Sequence, residues 1–327
     1  MYLDTLDSLL AGARSLKVAV VGDLMLDRYI WGRVQRISPE APVPVVSVQH
    51  TSHCLGGSAN VVGNLRSLGA TPVPVGVTGV DHDGQILREL FRDSGIGGDC
   101  ILEDPSRPTT IKTRVIAHDQ HVVRVDAEST GLLSPELVER LLHQVRSLEG
   151  LDALIFQDYD KGVLGPEIID ALRDHCARNG IFSAVDPKFR HFHCYGAVDL
   201  FKPNEKELCE AMGAGLVSDD ELDALADAFR QDSGCRELVV TRGGKGMTSY
   251  REDGQDSAPA LSRAIVDVSG AGDTVIAALV LARLQGASSS RALAFASLSA
   301  AVACAEVGAV PVGPEALRTL NSRLAPL

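Results

Sequence analysis

No apolar run in this 327-residue chain reaches membrane-spanning length; the longest candidates, near 275–284 and 292–305, are broken by Arg, Ser and Glu. The N-terminal stretch MYLDTLDSLLAGARSLK is amphipathic and acidic, without the basic start of a secretory signal. No CxxC pair occurs. The seven cysteines (Cys54, Cys100, Cys176, Cys194, Cys209, Cys235 and Cys304) are scattered and odd in number, which suits reduced thiols and a cytoplasmic protein with no membrane partner. There is no excess of basic residues. A net charge of -12 argues against nucleic acid as the main partner, because a phosphate backbone needs a basic face. Small anionic ligands need only a local basic pocket and stay open. Internal repeats and low-complexity segments are absent.

The 45% hydrophobic and 23% charged content is that of an ordinary soluble chain, large enough to bury its own core without disulfide or metal staples. Val18–Val21, followed by Gly22-Asp23, reads as a buried first strand ending in a turn. From Ser134 onward helix and strand alternate: helix 134–147, strand 153–157, helix 166–179, strand 181–185, strand 198–202, helix 204–212, helix 219–232 and strand 237–241. This alternation predicts an α/β fold with a central, mostly parallel sheet flanked by helices. Two β-rich stretches, 24–50 and 109–126, interrupt the pattern. They read as one small protruding sheet, used either as a lid or as an oligomer contact.

Asp267-Val268-Ser269-Gly270-Ala271-Gly272-Asp273 runs straight into an apolar helix. A helix N-terminus presents unpaired N–H groups and the positive end of its dipole, and small residues let an anion approach closely. Gly270, Ala271 and Gly272 therefore predict a phosphate cradle, with Asp273 beside it as a base for a hydroxyl proton. The alternative for Asp273 is a plain N-cap.

Other candidates cluster at expected strand ends, where α/β sheets gather ligands. Gly56, Gly57 and Asn60 suit close contact with sugar hydroxyls, or form a simple turn. Asp23 could accept two polyol hydroxyls or sit in a solvated turn. Asp158-Tyr159-Asp160-Lys161-Gly162 and Asp186-Pro187-Lys188 bring charge to the same edge, where Lys161 and Lys188 could offset phosphate. Asn204 and Glu207 either hold Mg²⁺-bound water near nucleotide phosphates or close a helix capping box. Thr241-Arg242-Gly243-Gly244-Lys245-Gly246 lacks the P-loop spacing and reads as a turn near a nucleotide. His191, His193 and Cys194 lack the further spaced ligands of a metal site.

Together these motifs resemble the ribokinase-like (PfkB) carbohydrate kinases. Gly56–Asn60 looks like that family's first signature, Asp267–Asp273 like its second, and Asn204-x-x-Glu207 like its phosphate and Mg²⁺ motif. Gly22–Tyr29, Arg36–Val46, Asp158–Leu164 and Asp186–Lys188 are similar to the D-glycero-β-D-manno-heptose 7-phosphate kinases in particular. The chain ends soon after the kinase motifs, which resembles the stand-alone form. Phe189, Lys202 and Ser269 depart from the usual Gly, Thr and Thr.

The resemblance implies one ribokinase-like domain over 1–327 with a lid built by 24–50 and 109–126. It also implies ATP and Mg²⁺ as cofactors, a sugar-phosphate substrate and a homodimer paired through the lid sheets. Asp273 would be the base, and the amides of Gly270, Ala271 and Gly272 would stabilise the moving phosphoryl group. Asp23, Gly56, Gly57 and Asn60 would hold the sugar, and Arg114, Lys161 and Lys188 its phosphate. Asn204, Glu207, Thr241, Gly243 and Gly246 would serve the nucleotide. Rival expectations are another sugar kinase of this fold, or a silent nucleotide and sugar sensor.

Overall fold

A computed structural model describes residues 3–118, 120–215, 217–261 and 266–324; residue 119 of the expected 109–126 stretch and residues 1, 2 and 325–327 of the chain ends lie outside these. In chain order the strands are β1 (Lys17–Gly22), β2 (Leu24–Ile37), β3 (Pro44–Gly57), β4 (Thr71–Thr78), β5 (Ile101–Glu103), β6 (Thr110–Ala117), β7 (Gln120–Ala127), β8 (Ala153–Gln157), β9 (Phe182–Asp186), β10 (Leu200–Phe201), β11 (Glu237–Thr241), β12 (Met247–Arg251) and β13 (Gly254–Ala258). Nine of them form one sheet in the order β13-β12-β11-β10-β9-β8-β1-β4-β5. It is parallel from β11 to β5, while β12 and β13 add an antiparallel edge.

Alternation along β1 shows why the sheet is covered on both faces. Val18 and Val20 join a core with helices Leu6–Gly12, Ser58–Ser67, Ala271–Leu284 and Ser289–Ala303. Ala19 and Val21 join a second core with helices Pro135–Arg146, Pro166–Asn179 and Asp219–Ser233. A strand buried on both faces must be apolar throughout, as β1 is.

The four remaining strands, in the order β3-β2-β6-β7, make a separate small sheet. The β-rich stretch 24–50 belongs to two long strands that run on to residue 57. β2 and β3 are 14 residues each and pair over most of their length. Register shifts at Trp31/Gly32 and Val34/Arg36 let the ribbon bend without breaking, and the prolines fall at its connection and edge. The expected strand 198–202 shortens to Leu200–Phe201.

Order along the large sheet fixes where chemistry can occur. The chain builds away from β1 in one direction through β4 and β5, and in the other through β8, β9 and β10. The carboxyl ends of strands at such a reversal leave a crevice. Asp23, Gln157, Asp158, Asp186, Lys202 and Thr241 all stand at that edge.

Candidate functional site

Gly270 starts the helix Ala271–Leu284 in a left-handed conformation, φ 76°. A Cβ there would meet Asn60 Nδ2 at 2.5 Å, so glycine is required by space as well as by backbone. Asp267 shapes the turn, accepting from Ser269 N and Gly308 N at 2.9 Å each. Burial opposes its ionisation, but these bonds and nearby Arg114 hold its carboxyl below the usual range. The Ala271 N–H already turns to Val268 O at 3.3 Å. The next amides, of Gly272 and Asp273, are left without a backbone acceptor by helix geometry.

Asp273 is 3% exposed, and every residue from it to Ala282 is buried. Three side chains hold its carboxylate. Asn60 Nδ2 donates to Oδ2 at 2.8 Å; the Tyr159 hydroxyl and Gln157 Nε2 donate to Oδ1 at 2.7 and 3.1 Å. Burial raises its pKa to about 6, Asp186 adds to the rise, and the Tyr159 and Asn60 bonds with nearby Lys202 oppose it. Asp273 is thus the first acid of a helix turn and also a desolvated group poised near neutrality.

Gln157 also donates to Asp186 Oδ2 at 3.0 Å, and Lys202 Nζ stands 3.1 Å from the same oxygen. Lys202 also approaches Gly272, where a Cβ would lie 3.7 Å from its Nζ. This buried cation beside the helix start is a residue that sequence reasoning treated only as a departure from pattern. Gln157 was missed as well; its signal is a lone amide at the end of the apolar run Ala153–Phe156.

Asp23 does not offer free oxygens to a polyol. Its Oδ2 accepts from Tyr159 N and Lys161 N at 2.8 and 3.1 Å, and its Oδ1 from Val163 N at 3.2 Å. It anchors the loop that presents Tyr159. Burial raises its pKa, and the neighbouring Asp158 is raised to about 7 by burial and by Asp23. The carboxylate that faces the glycine pair is Asp27: a Cβ on Gly56 would lie 2.8 Å from its Cγ. Gly57 has φ 55° and packs on Asp23 O and Met25. Arg114 pairs with Asp27 at 2.9 Å and covers the Tyr29 ring at 5.2 Å.

Lys161 pairs with Glu128 at 2.8 Å. Lys188 pairs with Glu207 and lies 5.5 Å from the Tyr159 ring centre. Burial would depress the Lys188 pKa, but the carboxylates of Asp186 and Glu207 outweigh it and hold the amine charged. Asn204 and Glu207 form the capping box: Asn204 Oδ1 accepts from Glu207 N at 2.8 Å and Glu207 Oε2 from Asn204 N at 2.9 Å. With its other oxygen on Lys188, Glu207 has no oxygen without a partner, so the pair does not fit direct metal ligation. Among the described residues no three His, Cys, Asp or Glu side chains gather as a metal site. His193 instead contacts Ala211 O at 3.1 Å.

Thr241, Gly243 and Gly246 are brought together with Ala271 and Gly272 in one cleft of about 230 Å³. Apart from Ser297, its remaining walls, including Met247, Leu261, Val275, Ala300 and Ala301, are largely apolar. Such a slot suits a flat heterocycle, and its polar end is the start of the Asp273 helix.

Residues 15–316 match the pfkB family carbohydrate kinase model, and the chain belongs to that family, whose activity uses ATP. In sequence it is similar to the bifunctional protein HldE of Paramagnetospirillum magneticum, 40% identical over 311 residues, covering 94% of this chain and 64% of that protein. HldE of Geobacter sulfurreducens is 36% identical over 316 residues, covering 96% and 64%. The chain spans 64% of the length of these relatives. Among solved structures it resembles Escherichia coli phosphofructokinase-2 in complex with substrates and products, with TM-score 0.80, 18% identity, and 94% and 99% of the two chains covered. Arabidopsis thaliana ribokinase complexed with ribose and ATP gives 0.73, 20%, 94% and 98%. At these identities the structural likeness shows the ribokinase-like fold alone. No described helix is long and apolar enough to cross a membrane.

Proposed function

We propose that the chain transfers the ATP γ-phosphoryl group to the anomeric C1 hydroxyl of D-glycero-β-D-manno-heptose 7-phosphate, giving the 1,7-bisphosphate for ADP-heptose and lipopolysaccharide core synthesis. The observation that carries the chemistry is Asp273, buried and near neutral in pKa, on the same helix start that closes the largely apolar cleft. The choice of sugar rests on the heptose-kinase motifs and on the HldE relatives.

In this reading the adenine lies between the apolar walls near Thr241, Gly243 and Gly246. The γ-phosphoryl group points at the Gly272 and Asp273 amides and Lys202, which stabilise its charge as it moves. Asp273 accepts the C1 hydroxyl proton. Asn60, Gln157 and Tyr159 orient the base. Asp27, with Arg114 and the backbone of Gly56 and Gly57, faces the sugar hydroxyls, and Asp23 acts at one remove through the Tyr159 loop. Mg²⁺ enters on the ATP phosphates, where it neutralises charge. The small sheet closes over the acceptor, since its Lys112 already stands above Tyr159. Two copies pair through the same sheet, whose β7 edge exposes Val123 and Val125.

An acceptor panel with ATP tests the assignment. Heptose 7-phosphate is expected to be consumed with the highest kcat/KM; a clear preference for ribose, fructose or fructose 6-phosphate overturns it.

The base role has its own test. A group that must be deprotonated, with its pKa raised to about 6, makes kcat/KM fall tenfold per pH unit below that value. Asp158→Asn retains this limb, because Asp158 has no bond to Asp273. A profile flat from pH 7 to 5 removes Asp273 as the base.

A further inference from the structure

We infer that Lys112 is the anion-binding residue that makes the enzyme select an acceptor already carrying a phosphate monoester, an inference that rests on the sugar-phosphate kinase reading above. The basic side chains around the site divide sharply. Arg114 is held by Asp27 at 2.9 Å, Lys161 by Glu128 at 2.8 Å, Lys202 by Asp186 at 3.1 Å and Lys188 by Glu207. Lys112 alone of this group has no carboxylate or hydrogen-bond partner among the described residues. It is half-buried, and that burial depresses its pKa. Its Nζ rests over the face of Tyr159, 4.9 Å from the ring centre.

A half-buried ammonium that rests on an aromatic face, with no carboxylate bound to it, is placed to take up an anion. Asp27 exerts the strongest Coulombic pull on Lys112, with Asp126 adding to it, and Arg114 and Lys161 oppose it as like charges that are themselves already paired. Tyr159 also sets the distance. Its hydroxyl touches Asp273 and its ring lies under Lys112, so base and cation stand one tyrosine side chain apart. A sugar with its reacting hydroxyl on Asp273 and a phosphate at the far end of its carbon chain spans a similar length. Lys188, on Tyr159 as well, faces Asp186 and Glu207 and so belongs to the nucleotide half. The Lys112 end is left for the acceptor's phosphate.

The test compares wild type, Lys112→Met and Lys112→Arg on a phosphorylated sugar and on the same sugar without its phosphate. Lys112→Met is expected to lower kcat/KM for the phosphorylated acceptor by about 10- to 100-fold, the range for a lost charged hydrogen bond, mainly through KM. Turnover of the unphosphorylated sugar and the KM for ATP stay put, and Lys112→Arg recovers most of the loss. If Lys112→Met retains the preference for phosphorylated sugar, the inference fails while the heptose 7-phosphate assignment stands. If a different sugar phosphate proves the best acceptor and Lys112→Met erases that preference, the heptose assignment fails and the Lys112 site stands. A wild-type enzyme that prefers the unphosphorylated sugar overturns both.

Discussion

Asp273→Asn lowers kcat by at least about 10²-fold, the smallest loss usual for removing a general base, while ATP binding changes little. The amide keeps the size of the carboxylate and can still accept from Tyr159 or Gln157. It cannot take a hydroxyl proton. The substitution also sets donor against donor: Asn60 Nδ2 now donates to Oδ2 at 2.8 Å, and an amide nitrogen in that place repels it. The variant therefore tests chemistry and local order together. Steady-state turnover with an independent ATP titration separates them, because the apolar cleft does not include Asp273. Near-normal turnover removes this carboxylate from the mechanism.

Lys202→Met produces the second largest effect, and it appears in stability as well as rate. The Lys202 and Asp186 side chains are 3% and 8% exposed. Removing one partner of a buried pair leaves an uncompensated charge and typically costs about 3–5 kcal/mol. Denaturant unfolding at neutral pH measures that loss. There is a second signature. Lys202 lowers the Asp273 pKa and Asp186 raises it. Without the ammonium the carboxylate binds its proton more tightly, so the acid limb of kcat/KM moves to higher pH. A variant as stable as wild type with an unmoved limb shows that Lys202 neither balances Asp186 nor acts on Asp273.

The fold was legible where side-chain period carried the signal. The apolar strand Val18–Val21 and the helix–strand alternation after Ser134 follow from burial on two faces. The β12–β13 hairpin was not foreseen, because its two-residue connection, Glu252-Asp253, sits in a polar stretch with little alternation. The small sheet was located, but its long ribbon was hidden by the prolines Pro39, Pro42 and Pro44 at its connection and edge.

At the site, Asp273 and its glycines could be read because a helix start imposes a local pattern. Gln157, Lys202 and Lys112 could not. Each gains its meaning from a neighbour far off in the chain: Gln157 from Asp273, Lys202 from Asp186, Lys112 from Tyr159. Asn204 and Glu207 show the converse. Their spacing fitted two readings, and in the structure it forms the helix cap.

The helix that bears Asp273 is enclosed on all sides from that residue to Ala282. A rod so packed has nowhere to travel, so the proton acceptor is a fixed point to which reactants must be brought. On the proposed reading, adjustment on loading falls to the peripheral ribbon, which carries Asp27 and Arg114, while the three bonds to Asp23 hold the Tyr159 loop in place. If the ribbon faces the sugar as proposed, exchanging its side chains retargets the enzyme to a new sugar without disturbing the step that moves phosphorus.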